Sequence, residues 1–296
     1  MSSDQFGSQV EDVLRGSYDL HVHAGPDPHQ DRRGDALETA RWAQEAEMGG
    51  FVLKSHEYST APLARTVSRV YPGLDVVGSI VLNREVGGLN AYAVEAAALL
   101  GARVVWMPTF SADFSFPRLR RHPHVSSQYK DRLTAIPGIR LTDDNDKLLP
   151  EVAEVLDVVL AEDMVLASGH ASPAETLTLF REAKTRGIGR MIATHPHALA
   201  TMDEQREMVS LGALIEQTFI SCMPAGGRSS GALVAAVRDL GFEHCVVSTD
   251  FGQPANPPPA EGMRMAIATL LEEGLTPFEA SVLTKENPRQ LVAAGG

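Results

Sequence analysis

The chain has 296 residues, 44% of them hydrophobic and 22% charged, a composition that excludes a disordered or fibrous polymer and leaves enough apolar material for a large core. Its formal net charge is −12 and no long basic stripe offsets it, which excludes a nucleic-acid phosphate backbone as an expected partner. Two cysteines, Cys222 and Cys245, are too few for a disulfide framework, and no stretch reaches the roughly 18 apolar residues that span a bilayer. The expectation is a cytoplasmic chain with no export signal and no membrane partner.

Residues 1–16 read as an N-terminal extension, after which short β-rich runs alternate with segments of helical periodicity. Strands are expected at 17–23, 50–56, 74–82, 102–108, 163–170, 189–195, 212–219 and 244–250. Helices are expected at 35–48, 60–71, 90–100, 150–161, 173–186, 203–210, 229–239 and 277–292, several opened by Asp, Ser or Pro and closed near Gly. Eight such repeats predict an α/β chain folded as one (β/α)8 TIM barrel over residues 1–296, because a barrel of this kind commonly uses about 250 residues as one unit. Roughly 40 residues separate the fourth strand from Pro150, and a loop that long is expected to be a lid-like insertion, about 109–149, carrying a small hairpin in GIRLTDDNDKLLP. The proline-rich run ANPPPAEG at 255–262 reads as a stiff connection without a functional part.

Histidines and one aspartate fall at the strand ends. His21 and His23 end strand one, His170 strand five, His195 strand six and Asp250 strand eight. In a barrel these ends converge on one face, so residues distant in sequence become neighbours there. Side chains two apart on a strand share a face, which points His21 and His23 together into the barrel mouth. Neutral imidazole nitrogens with a carboxylate oxygen suit zinc first, or manganese or iron, as one or two ions per chain with room for water. A divalent cation of this sort lowers the pKa of water from 15.7 to about 7, and a neighbouring carboxylate can carry the proton away. His29, His122, His124 and His244 stand apart from this pattern and read as ordinary structural or surface residues.

The segments DLHVHAGPD, ASGHAS, IATHPH and VSTDFG, with the ending TKENPRQLV, make the chain resemble the amidohydrolase superfamily over nearly its whole length. The resemblance implies that His21, His23 and Asp250 surround one metal and that His170 binds it or a second ion. It further implies that His195 is a ligand or polarises the substrate, and that Asp250 takes the proton of the attacking water. The chain departs from the pattern after strand four, where many members carry a bridging carboxylated Lys or a Glu. Here the strand ends in Met107-Pro108-Thr109. Strand two instead ends in KSHE, and Lys54 and His56 share a face pointing to the same mouth. An ammonium there is costly, so Lys54 is expected to be deprotonated, carboxylated or paired with substrate.

His197, beyond Pro196, is a candidate for substrate contact or for supporting a ligand. Glu216 and Gln217 near the end of strand seven, and Asn83-Arg84-Glu85 after strand three, sit where substrate-orienting groups belong, with Arg84 or an arginine of the 118–121 cluster able to fork onto a carboxylate or phosphate. The leading functional expectation is a metal-dependent hydrolase of an amide, lactone, cyclic imide or ester-like bond in a small molecule. A non-oxidative decarboxylase of the same superfamily is the alternative, followed by a PHP-like phosphoesterase and by a non-catalytic metal-binding barrel. A homo-oligomer is compatible with any of these.

Overall fold

The computed structural model describes residues 3–122 and 125–293; positions 1–2, 123–124 (with His124) and 294–296 lie outside it. In chain order the larger elements are α1 (Ser3–Leu14), β1 (Tyr18–His23), α2 (Ala36–Glu45), β2 (Gly50–Lys54), α3 (Ala61–Val70), β3 (Asp75–Val81), α4 (Ala91–Leu99) and β4 (Ala102–Trp106). Then come α5 (Phe116–Leu119), α6 (Ser127–Thr134), α7 (Pro150–Ala161), β5 (Val165–Ala167), α8 (Pro173–Arg186), β6 (Met191–Ala193), α9 (Met202–Ser210) and β7 (Ala213–Thr218). The chain closes with α10 (Ser230–Leu240), β8 (Cys245–Ser248), α11 (Pro259–Glu272), α12 (Pro277–Ser281) and α13 (Asn287–Val292). The strands pair in parallel in sequence order, β1 through β8. This is the expected (β/α)8 barrel.

Closure occurs at the C-terminal ends of β8 and β1, where Asp250 N donates to His21 O (2.9 Å) and His23 N to Phe251 O (2.8 Å). The carboxylate of Asp19 lies across the same seam, accepting from Thr249 N (3.0 Å), from Thr249 Oγ1 and from His21 N (3.2 Å). Burial outweighs those donors and pushes Asp19 up to about 7. The pairing register shifts between Asp19 and Val22. As a result Leu20 packs in the barrel lumen while Val22 joins the outer layer, a parity that an uninterrupted strand would not give. The strand's last two histidines thereby both reach the mouth.

Inside the barrel, Val52, Val77, Val81, Val104, Val165, Ile192 and Val246 fill the lumen under Trp106, and Leu291 and Val292 of α13 join them. The larger outer layer lies between strands and helices. Three elements differ from the sequence expectation. The N-terminal extension is helical in α1, burying Val10, Val13 and Leu14 at helical spacing against α11 and α12. The run after strand eight, expected to be a stiff connection, enters α11 from Pro259 onward, with a proline in its first turn where the missing N–H costs nothing. The last helix is interrupted by a π-helical segment at Val282–Glu286.

The insertion between β4 and α7 holds α5, α6 and a hairpin closed by the Thr142–Leu148 bridge, around its own cluster of Phe110, Leu119, Val125, Tyr129 and Leu133. No helix among the described residues is long and apolar enough to cross a membrane. Both cysteines are free thiols, with Cys245 buried.

Gly252 sits at φ +140°, and a Cβ there would stand 2.0 Å from His23 O, at the seam. Gly252→Ala is therefore expected to destabilise the fold by roughly 2 kcal/mol or more. Thermal unfolding checks this; an unchanged Tm would contradict the reading.

Candidate metal centre

The mouth of the barrel is a cavity of about 410 Å³, and His21, His23, Lys54, His56, His170, His195, His197 and Asp250 all line it. The residues expected from dispersed strands are thus brought together. Among the described residues, one group of potential ligand atoms converges: those of His21, His23 and Asp250 lie within 4.8 Å of one another. Asp250 Oδ1 stands 3.2 Å from His21 Nε2 and 3.3 Å from His23 Nε2.

Glu216 sets the orientation of His21, its Oε1 lying 3.0 Å from His21 Nδ1 with both side chains buried. Burial acts to raise Glu216, but the facing His21, Lys54 and the His195 backbone together hold it below its ordinary value. A carboxylate only accepts, so the His21 proton belongs on Nδ1 and Nε2 presents a lone pair. Burial likewise drives His23 well below the usual imidazole value, keeping it neutral. Asp250 is raised chiefly by desolvation, against the pull of His21 and Lys54. Lone-pair-bearing atoms therefore face one another across little more than 3 Å. The Lys54 ammonium beside them offsets part of that repulsion, and two imidazole nitrogens with a carboxylate oxygen suit a first-row divalent ion with open positions.

Lys54, the last residue of β2, supplies the neighbouring positive group. Its Nζ lies 3.0 Å from His21 Nε2 and 4.3 Å over the Trp106 ring. Burial pushes it down to about 8, with Asp250 and Glu216 acting in the opposite direction. Trp106 ends β4 with its buried ring 4.9 Å from that of His21. An indole thus fills the space below the cluster on the strand where the superfamily pattern has a bridge.

The remaining histidines form a contiguous wall. His56 stacks on His23 (4.8 Å) and Phe110 (3.9 Å), its Nδ1 2.8 Å from Thr109 Oγ1. His170 lies three residues beyond β5, after Gly169, whose φ is +60° and where a Cβ would meet Met107 O at 2.1 Å. His195, at φ +30°, donates its N–H to Glu216 Oε2 (3.1 Å), and its ring lies 4.9 Å from His170 and 5.9 Å from His21. Burial drives His56, His170 and His195 well below the ordinary value. His197 is pushed down to about 4, mainly by burial and then by Arg228, and its buried Nδ1 has no hydrogen-bond partner.

Two expected substrate contacts are placed elsewhere. Glu216 is fully buried behind His21 and does not line the cavity, because its oxygens are committed to the His21 ring and the His195 backbone. Arg84 also stays outside the cavity, donating to Pro137 O of the insertion. Its neighbours work in the same direction. Glu85 accepts from Tyr129 OH (2.8 Å), while Asn83 Oδ1 accepts from Thr109 N (2.8 Å) and Ser111 N (3.1 Å) and Nδ2 donates to His56 O (3.0 Å). This segment pins loops together. Arg32, Gln253, Ala255 and Asn256 line the cavity without having been expected there. The loop residues carry no periodicity that would have revealed them, although the proline-rich run was in view.

Glu216→Gln keeps the size of the side chain and removes the fixed negative acceptor. It is expected to weaken zinc affinity by about 10- to 100-fold, read by competition with a chromophoric chelator. Unchanged affinity would contradict the orienting role.

Residues 16–216 match the family described as a family of unknown function, DUF6282. A curated dihydroorotase of Lactiplantibacillus plantarum is 30% identical over 161 residues, which cover 51% of this chain and 35% of that protein. The match thus spans about a third of that relative's length. Among solved structures, the probable dipeptidase PvdM from Pseudomonas aeruginosa gives a TM-score of 0.69 at 12% identity, covering 99% of each chain. An amidohydrolase from the same organism gives 0.62 at 12% identity, covering 97% of this chain and 98% of its own. These structural likenesses show the fold alone, a (β/α)8 barrel shared with those proteins. With more than half of its length matched, the chain belongs to the family of unknown function DUF6282.

Proposed function

We propose that the chain is a metal-dependent hydrolase acting on an amide, lactone, cyclic imide or ester-like bond of a small molecule. The observation that carries this reading is the convergence of His21 Nε2, His23 Nε2 and Asp250 Oδ1 at the mouth of a deep barrel cavity. Amidohydrolase fold and the names of the similar proteins support it. His21, His23 and Asp250 would hold one ion, zinc before manganese or iron, with His170, His195, His56 and Lys54 bordering any second one. When bound, such an ion supplies Lewis acidity, making water a usable nucleophile at neutral pH and polarising the scissile carbonyl.

The chain's own groups do the rest. The second oxygen of the Asp250 carboxylate, the one not turned to the histidine pair, takes the proton of the attacking water and returns it to the leaving group. His195, held neutral by burial, offers an imidazole to the carbonyl oxygen, and Lys54 places a donor at the edge of the cluster. Glu216 orients without touching substrate. The insertion contributes Phe110 and Leu119 to the cavity wall, which Ile220 and Met223 also line, apolar surfaces that exclude water from the reacting bond. We place this activity in the cytoplasm, on a small-molecule substrate.

The zinc-loaded protein is expected to hydrolyse members of a panel of small amides, lactones and cyclic imides, to lose that activity with chelator and to regain it with zinc. Asp250→Asn should lower kcat by about 100-fold or more with its Tm preserved. Turnover indifferent to chelator, or near-normal kcat in Asp250→Asn, would defeat the proposal.

A further inference from the structure

Arg32 takes no part in the cluster just described, yet it lines the same cavity. It sits in the loop between β1 and α2, whose shape is set by Asp27. Asp27 Oδ1 accepts from His29 N (2.8 Å) and Gln30 N (2.9 Å), and Oδ2 accepts from Arg32 Nε (2.8 Å). The two side chains are only 4% and 2% exposed, Arg32 and Asp27 respectively. Nη2 lies 2.6 Å from the same Asp27 oxygen but is not directed at it, so this buried nitrogen has no hydrogen-bond acceptor. A guanidinium seldom leaves a buried N–H unsatisfied, because the unmet donor costs free energy. A buried ion pair is also a poor device for stability, since desolvating each ion costs several kcal/mol. What the pair does supply is a rigidly placed guanidinium in the cavity wall.

The charge of the wall points to the ligand. Asp250 is the one carboxylate among the lining residues, against Arg32, Lys54 and Arg118. Arg118 donates to Ala198 O and lies over Phe114, and Lys54 sits within the candidate metal cluster itself, 3.0 Å from His21 Nε2. Among the described lining residues, Arg32 is the cation with a buried nitrogen, Nη2, that no hydrogen-bond acceptor satisfies. Asp27 already offsets one positive charge, so the subsite suits a planar monoanion better than a phosphate dianion.

We propose that Arg32, clamped by Asp27, recognises a carboxylate of the substrate, so that the molecule cleaved is a small amide, lactone or imide bearing a free carboxylate. The cleavage half of this statement rests on the hydrolase reading above; the recognition half does not. Arg32 is a specificity residue, and Asp27 positions it.

Calorimetric titration of the zinc-loaded full chain with succinate, succinamide and inorganic phosphate tests recognition without requiring turnover. Succinate is expected to bind more tightly than either of the others. Arg32→Met should weaken succinate by about tenfold or more and leave succinamide unchanged. Because that variant strands Asp27, the double variant Asp27→Asn/Arg32→Met is measured beside it. Arg32→Lys, which keeps the charge but loses the fork, should still cost several-fold in succinate affinity at unchanged zinc content. Succinate binding that is absent, weaker than that of phosphate or indifferent to all three variants would overturn the proposal. If succinate behaves as expected while no member of the hydrolysis panel is cleaved, the hydrolase reading fails and carboxylate recognition stands.

Discussion

Three electron-rich atoms held face to face are the constraint around which this barrel mouth is organised. Asp250 Oδ1 stands 3.2 Å from His21 Nε2 and 3.3 Å from His23 Nε2, on the β8–β1 seam. Folding alone would not choose that arrangement. It persists because the surrounding structure over-determines it: Glu216 fixes the ring of His21, Asp19 joins β1 to Thr249, and the seam hydrogen bonds pass through His21, His23, Asp250 and Phe251. The interactions that close the barrel are the interactions that place the candidate ligands, so stability and the geometry of the site are coupled at this point.

Around that centre, polar side chains that might be taken for substrate contacts act as fasteners. Asn83 ties the loops after β2, β3 and β4 to one another, and Arg84 and Glu85 hold the insertion from below. The insertion in turn lays Phe110, Ser115, Arg118, Leu119 and His122 along the cavity. Its small apolar cluster packs α5 and α6 as a unit resting on the barrel, and that unit forms one side of the cavity. Arg32, proposed above as the specificity residue, thus lies on a loop, while the candidate ligands lie on or just beyond the strand ends.

The barrel was legible because eight β-rich runs are punctuated by helical periodicity, and burial on both faces keeps those runs apolar. The strand-end positions of His21, His23, His170, His195 and Asp250 were legible for the same reason, since topology alone collects strand ends. Glu216 was in view but misread: sequence places it near the end of β7 without showing that His21 Nδ1 lies beside it. Arg32 left no trace, because its role depends on the turn that Asp27 imposes. Helix α11 was hidden behind its prolines, which look like a connection until the apolar spacing after Pro259 is counted. The bulge in β1 was equally invisible, although it decides which side of the strand Leu20 and His21 face.

Anomalous scattering at the zinc edge from crystals grown with zinc tests the central claim most directly. The account predicts a peak bonded to His21 Nε2, His23 Nε2 and Asp250 Oδ1, at about 2.0–2.2 Å from each. A crystal whose zinc lies elsewhere, with Lys54 Nζ still hydrogen-bonded to a bare His21 Nε2, would contradict it.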